Sequence, residues 1–369
     1  MSVAGLSEAA DTGKLSLSGY IKVKGGDRSA FGRLAFFALV LLLTGTAGLS
    51  LTVGASDLNF VQLWSYWLGG EDMPLRHTVI LWDIRMPRMV LGIMVGASLA
   101  SAGASMQGLF RNPLADPGIV GVSAGAALFA IIAIILGDTL LSPLQSLLGI
   151  YMLPLFAFFG GVFNTLLLYI IATRRGQTSV ATMLLAGIAI GALMGAVSGY
   201  LIFISNDQQL RDLTFWSMGS LAGANWVKIQ SILPFVFLAL SVLPFTAHGL
   251  NALMLGDHQA RHMGVPIQKL KRLTIASIAL AVGASVAVTG GIGFIGLVVP
   301  HLLRLLIGPD HRYLLPASAL LGAVLLLLAD MVARTVAAPA SLPIGIVMSA
   351  IGGPFFLFLL LRSKRDMML

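Results

Sequence analysis

The chain has 369 residues, of which 57% are hydrophobic and only 10% charged, a balance that excludes a single water-soluble core with an ordinary polar surface. Its formal net charge of +8 is spread a few basic residues per loop instead of being gathered on one face, which argues against nucleic-acid binding and for a membrane-topology signal. No cysteine is present, so disulfides and cysteine-based metal or redox sites are excluded.

In residues 1–30, Lys14, Lys22, Lys24 and Arg28 lie among Gly, Ser and Asp, with no compact apolar run before a small-residue cleavage site. They read as a retained, poorly ordered cytoplasmic tail. One membrane domain is expected over 31–369. Ten apolar segments follow, at 34–53, 89–109, 119–136, 152–172, 180–204, 230–247, 273–290, 293–307, 315–333 and 342–361. Runs such as Leu34 to Leu51 and Tyr313 to Val332 are long enough, at about 1.5 Å per residue, to cross roughly 30 Å of hydrocarbon as helices. They are apolar on every face and do not alternate as barrel strands do, so the fold class is all-α, a polytopic membrane protein with about ten transmembrane helices.

An even number of spans puts both termini on one side. With that side cytoplasmic, inner segments hold seventeen of the 23 Lys and Arg residues. The outer side keeps Arg76, Arg85, Arg88, Arg211, Lys228 and Arg334. All five tryptophans, Trp64, Trp67, Trp82, Trp216 and Trp226, fall in outer loops or at their membrane borders. Short interfacial helices are expected around Leu58 to Leu68 and Arg211 to Leu221. Within the second segment, Gly92, Gly96, Ala100, Gly103, Ala104 and Gly108 allow close helix approach and predict a packed inner helix. Leu320 to Leu328 reads as lipid-facing or buried against bulky neighbours.

Catalytic patterns are sparse. Gly13-Lys14 is followed by Leu15, so no phosphate-binding loop is formed there. The only glutamates, Glu8 and Glu71, lie outside the spans, and neither HExxH nor paired-carboxylate spacing occurs. Asp330 and Arg334 are four apart and share a helix face, either as a mutually neutralising pair or with a functional role for Arg334. His301, after Pro300, reads as a packed, hydrogen-bonded histidine.

Arg85 and Arg88 flank Met86-Pro87 at the outer entrance of the second span and should project together toward the outer surface. Such a pair matches the carboxylates of an acidic partner or the phosphates of lipid headgroups. The inner loop from His248 to Arg272 reads as two short helices broken at Gly264 and Pro266. It offers a contact surface for a cytoplasmic engine, although a solvated basic loop has the same composition.

Several motifs in order then resemble one family: Arg85-Met86-Pro87-Arg88, Phe110-Arg111-Asn112-Pro113-Leu114-Ala115-Asp116-Pro117, Gly121-Val122-Ser123-Ala124-Gly125-Ala126, Gly293-Phe294-Ile295-Gly296-Leu297-Val298-Val299-Pro300-His301 and Leu342-Pro343-Ile344-Gly345. Together they are similar to the FecCD permeases of type II ABC importers for iron-siderophores, haem and cobalamin, over about Phe31 to Arg365. The resemblance implies a homodimer in a bacterial inner (cytoplasmic) membrane, with the path between two copies. It implies two copies of a separate ATPase, which uses ATP and magnesium, on the 248–272 coupling loop through Leu255, Gly256, Asp257, Ala260, Met263 and Gly264.

It also implies a periplasmic substrate-binding protein docked on Arg85, Arg88 and Arg334, and a cytoplasmic gate at Asn112, Leu114, Thr178 and Ser179. No cofactor or metal is expected on this chain itself. Residues Leu213 to Leu221 resemble the haem branch, so haem is the favoured cargo, with an iron-siderophore or cobalamin as the alternative. Rival readings from other classes are a stand-alone secondary transporter and a multi-span membrane enzyme.

Overall fold

The structure is a computed structural model that describes residues 29–54, 61–62, 65–66 and 73–366. The tail up to residue 28, most of the interfacial helix expected at 58–68, and Trp64 and Trp67 lie outside the described residues. In chain order the elements are α1 (Ser29–Thr52), α2 (Leu75–Phe110), α3 (Val122–Leu136), α4 (Ser142–Leu148), α5 (Met152–Ala172), β1 (Thr173–Arg174) and β2 (Gln177–Thr178). They continue as α6 (Val180–Phe203), α7 (Asp207–Ser217), α8 (Trp226–Met254), α9 (Asp257–His262), α10 (Ile267–Thr289), α11 (Ile295–Ile307), α12 (His311–Val336) and α13 (Ile344–Asp366). Each of the ten expected apolar segments corresponds to one of the apolar helices among these.

Boundaries differ where charge or proline misled hydropathy. The second span starts at Leu75, fourteen residues before the expected position, and passes through a π-helical stretch at Ile80–Arg85. Asp83, Arg85 and Arg88 had broken the apolar run, yet nothing in Leu75 to Arg85 prevents helix. The interfacial helix expected at Arg211 to Leu221 lies at Asp207–Ser217, set by a capping box between Asn206 and Gln209 and ended before Gly219 at φ 68°. The 248–272 loop narrows: α8 runs on through a 3₁₀ turn at Leu243–Thr246 to Met254, and α10 begins at Ile267. Pro244 lies in that turn: inside a continuing helix its missing N–H and its ring interrupt the α pattern, and the chain tightens to 3₁₀ there. A two-residue hairpin, β1–β2, was not expected; Arg175 (φ 51°) and Gly176 (φ 74°) give it the left-handed turn that matches strand twist.

The core runs along α2, whose residues from Val95 to Met106 are almost wholly buried, as the small-residue pattern predicted. At Gly96 an added Cβ would overlap the Gly322 carbonyl of α12, and at Gly103 it would overlap the Gly296 carbonyl of α11. Backbones thus touch where lipid supplies no hydrophobic drive for association, so dispersion and close fit hold the helices. Leu320 to Leu328 turns out mainly buried, with Leu326 and Leu327 inaccessible and Leu328 alone exposed among its leucines.

Gly296 also lies against the Leu99 carbonyl and Pro117. The start of α11 and the 3₁₀ turn at Pro117–Val120 therefore both sit inside the bundle, beside α2 at Leu99 and Gly103. Such irregular backbone is tolerated at depth because protein, not lipid, surrounds it, and it explains why α3 and α11 are shorter than a full span. Asp310 caps α12: burial raises its pKa, but hydrogen bonds from Arg312 and Asn251 outweigh this and bring it down to about 2. The ionised cap therefore contributes its stability above the ordinary carboxylate range and loses it as pH falls toward about 2.

Gly103→Ala is expected to destabilise the protein by about 1–3 kcal/mol through overpacking against fixed backbone. Gly45→Ala on α1, where an added Cβ meets nothing within 4 Å of its own chain, should leave thermal unfolding in detergent unchanged. Equal melting curves for the two variants would contradict the close α2–α11 contact.

Candidate functional site

Two clusters of charge sit at opposite ends of the bundle. At the end carrying the tryptophans, Arg88 on α2 donates from Nε to both oxygens of Asp330 on α12, at 2.9 and 3.0 Å, and its second guanidinium nitrogen lies 2.8 Å away. One turn along α12, Arg334 Nε is 3.5 Å from Asp330 Oδ2, an ion contact without good hydrogen-bond alignment. The same guanidinium donates to the Ser50 carbonyl at 2.9 Å and to Ser50 Oγ at 2.7 Å. Arg85 donates to the Leu51 carbonyl, so the cluster also fastens the end of α1.

These contacts correct an expectation. Arg85, Arg88 and Arg334 are 4%, 7% and 7% exposed, so Arg85 and Arg88 do not project together from the surface. A guanidinium in an apolar bundle needs an internal partner. Asp330 supplies one for Arg88 and Arg334, and the carbonyls closing α1 take up further donors. The Asp330–Arg334 pair was readable from its spacing; Arg88 joins it from 242 positions away. Trp226 donates from Nε1 to the Trp82 carbonyl at 2.9 Å nearby.

At the opposite, basic end, Asp257 opens α9 and accepts from Lys271 Nζ at 2.9 Å, with an Arg111 guanidinium at 3.7 Å. Lys271, 5% exposed, also donates to the Thr178 carbonyl at 3.2 Å. Thr178 N–H in turn donates to Gln268 Oε1 at 3.0 Å, and its hydroxyl lies 3.0 Å from that of Thr173 across the hairpin. Ser179 N-caps α6 by accepting from Thr182 N–H at 3.2 Å. Asn112 Oδ1 accepts from Leu114 N–H at 2.9 Å and shapes the exposed turn after α2, where Arg111 takes a left-handed conformation (φ 52°).

Of the predicted residues, the structure therefore links Asp257 to Thr178 through one lysine and brings Arg111, next to Asn112, to the same carboxylate. In the sequence Lys271 counts only toward topology, Arg111 toward topology and the family motif, and Gln268 carries no signal. Gly256 (φ 107°) and Gly264 (φ 80°) bracket α9, and Ala260 is its buried anchor. Leu255 and Met263 remain 62% and 63% exposed, large apolar side chains on the polar end of the molecule.

His301 packs as expected, its ring edge-on to Phe355 at 6.2 Å, but Nδ1 is buried without a hydrogen-bond partner. Among the described residues no group of three or more His, Asp or Glu side chains is placed to hold a metal ion. A cavity of about 230 Å³ lies beside the buried Pro117 turn, lined by Asp116, Ser123, Gly291, Gly293 and Phe294. These features offer binding surfaces, with no nucleophile–base pair among the groups described above.

Asp330→Asn should cost about 3–5 kcal/mol, because it leaves two buried guanidiniums without their carboxylate. Arg88→Met combined with Asp330→Asn should recover at least half of that loss, measured by thermal unfolding in a double-mutant cycle. Strict additivity of the two changes would contradict the pairing.

The FecCD transport family model matches residues 39–362. The hemin transport system permease protein HmuU of Yersinia pestis is 46% identical over 335 residues, covering 89% of this chain and 96% of the relative. The cobalamin import system permease protein BtuC of Halobacterium salinarum is 44% identical, covering 78% and 75% of the two chains. A metal-chelate type ABC transporter solved in an inward-facing conformation superposes with a TM-score of 0.76 at 33% identity, covering 89% of this chain and 98% of that one. Its helical membrane fold and these relationships place the chain among transport permeases that are not themselves enzymes: it belongs to the FecCD transport family.

Proposed function

We propose that this chain is the membrane-spanning subunit of an ATP-driven importer, and that two copies enclose a path along which haem crosses the inner membrane unchanged. The basic end then faces the cytoplasm, with both termini, in keeping with the excess of Lys and Arg there. The tryptophan end faces the periplasm. Identity of 46% to a hemin permease supports haem. Identities of 44% and 40% to cobalamin permeases keep cobalamin, and with it iron-siderophores, as the alternative cargo.

One observation carries the reading: α9, flanked by the exposed Leu255 and Met263, is tied by Asp257 and Lys271 to Thr178 of β2, just before α6. Exposed apolar side chains in water favour a protein contact. A cytoplasmic ATPase, with its ATP and magnesium, is the partner that this surface would take, through Leu255, Gly256, Asp257, Ala260, Met263 and Gly264. A push on α9 reaches Thr178 and Ser179 by hydrogen bonds, and the Asn112–Leu114 turn through Arg111. These residues form the inner gate in this scheme, and alternating access follows from two arrangements of that network.

The homodimer seam is assigned to α6. Only 11% of its most apolar stretch is buried within the chain. Gly187, Gly191, Gly195 and Gly199 recur every four residues along it, the small-residue spacing that lets membrane helices cross closely. A periplasmic binding protein docks at the other end, its carboxylates drawn by Arg85, Arg88 and Arg334, of which Arg88 and Arg334 share Asp330. Burial makes this a long-range attraction that salt should weaken.

In liposomes holding the permease and its ATPase, Lys271→Met should cut haem uptake at least tenfold while ATP hydrolysis persists. Unchanged uptake would remove the coupling assignment. Comparing haem, a ferric siderophore and cobalamin as cargo in the unaltered complex tests specificity, and haem is expected to be taken up fastest. Gly195→Leu should leave the chain folded but shift it from dimer to monomer on size exclusion; a retained dimer would remove α6 as the seam.

A further inference from the structure

A lipid-exposed groove runs between α5 and α10 toward the basic end. It encloses about 400 Å³, within the range of small-molecule sites. Leu166 and Tyr169 of α5 form one wall, and the small side chains Ala276 and Ala279 of α10 form its floor. Its lining is otherwise apolar but for Thr165, whose hydroxyl donates to the Gly161 carbonyl of its own helix, and Arg272 stands at its mouth. From Arg272 to Leu280 the groove spans roughly 12 Å at 1.5 Å per residue, close to the ~15 Å of one leaflet's hydrocarbon.

Bulk lipid covers any apolar surface; a specific site also needs a headgroup anchor, and this groove has one. Arg272 is exposed, and no carboxylate lies within salt-bridge distance of it among the described residues. The Tyr169 hydroxyl sits among Arg272, Thr173 and Thr178, so a second donor faces the same spot. The hairpin just beyond presents Arg174 and Arg175, both exposed. An exposed guanidinium without a carboxylate, above an apolar slot one leaflet deep, matches a phosphodiester on an acyl chain.

We infer that this groove is a binding site for one anionic phospholipid of the leaflet at the basic end, with its phosphate on Arg272 and Tyr169. The occupied site touches the hairpin whose Thr178 is held by Lys271. The lipid would therefore brace the gate strand from the membrane side. Its leaflet rests on the orientation proposed above; the binding itself does not depend on cargo or transport.

The test is native mass spectrometry of the full chain in its purified oligomer, titrated with dioleoylphosphatidylglycerol or dioleoylphosphatidylethanolamine. The anionic lipid is expected to bind about fivefold tighter, Arg272→Gln to abolish that preference, and Arg272→Lys to keep most of it. Ala276→Leu, which fills the floor, should lose both lipids; if that variant misfolds, the two Arg272 variants decide alone. Equal binding of the two lipids, an unchanged preference in Arg272→Gln, or a lipid-free oligomer whose groove is covered by a second copy would overturn the site.

Discussion

Charge buried in an apolar bundle must be answered from within the protein, and this constraint organises both ends of the molecule. Little water reaches the guanidiniums of Arg88 and Arg334 or the ammonium of Lys271, so each takes a carboxylate together with backbone carbonyls or a neighbouring hydroxyl. Arg88, Asp330 and Arg334 tie α2 to α12 at one end, and Ser50 and Leu51 bring the end of α1 into the same cluster. Lys271 and Asp257 tie α10 to α9 at the other. Between them the helices meet through glycine backbones, at Gly96 with Gly322 and Gly103 with Gly296, contacts that tolerate little change of spacing.

The two ends differ in what their charges reach. Around Asp330 the partners all belong to long helices, so the cluster behaves as a clamp that fixes relative position. Around Lys271 the partners are a short surface helix and a two-residue hairpin, elements with few other contacts to hold them. A rigid frame with a lightly held linkage at one end suits a protein that supplies a route and takes its energy from a partner. Interactions strong enough to hold the route in one state would oppose that use.

Much of this was legible in the sequence because hydropathy is a local signal. Each of the ten apolar segments corresponds to a helix, and the glycines of the second segment marked it as the packed centre. The start of α2 was missed because Asp83, Arg85 and Arg88 look unfit for a span until Asp330, 242 positions from Arg88, is placed beside it. For the same reason the arginines were expected on the surface. Lys271 was counted as a topology charge, since nothing nearby in the chain reveals that Thr178 lies over it. The i,i+4 pair of Asp330 and Arg334 was the one ionic contact visible from spacing alone.

The most direct test of the proposed linkage is a distance measurement, made simple by the absence of cysteine. Spin labels at Met263→Cys on the surface helix and Arg175→Cys on the hairpin can be followed by pulsed electron resonance in the reconstituted complex. On adding ATP, the spacing within one protomer should stay constant while the Arg175→Cys labels of the two protomers change separation. A hairpin that stays still while the surface helix moves would contradict transmission through Lys271.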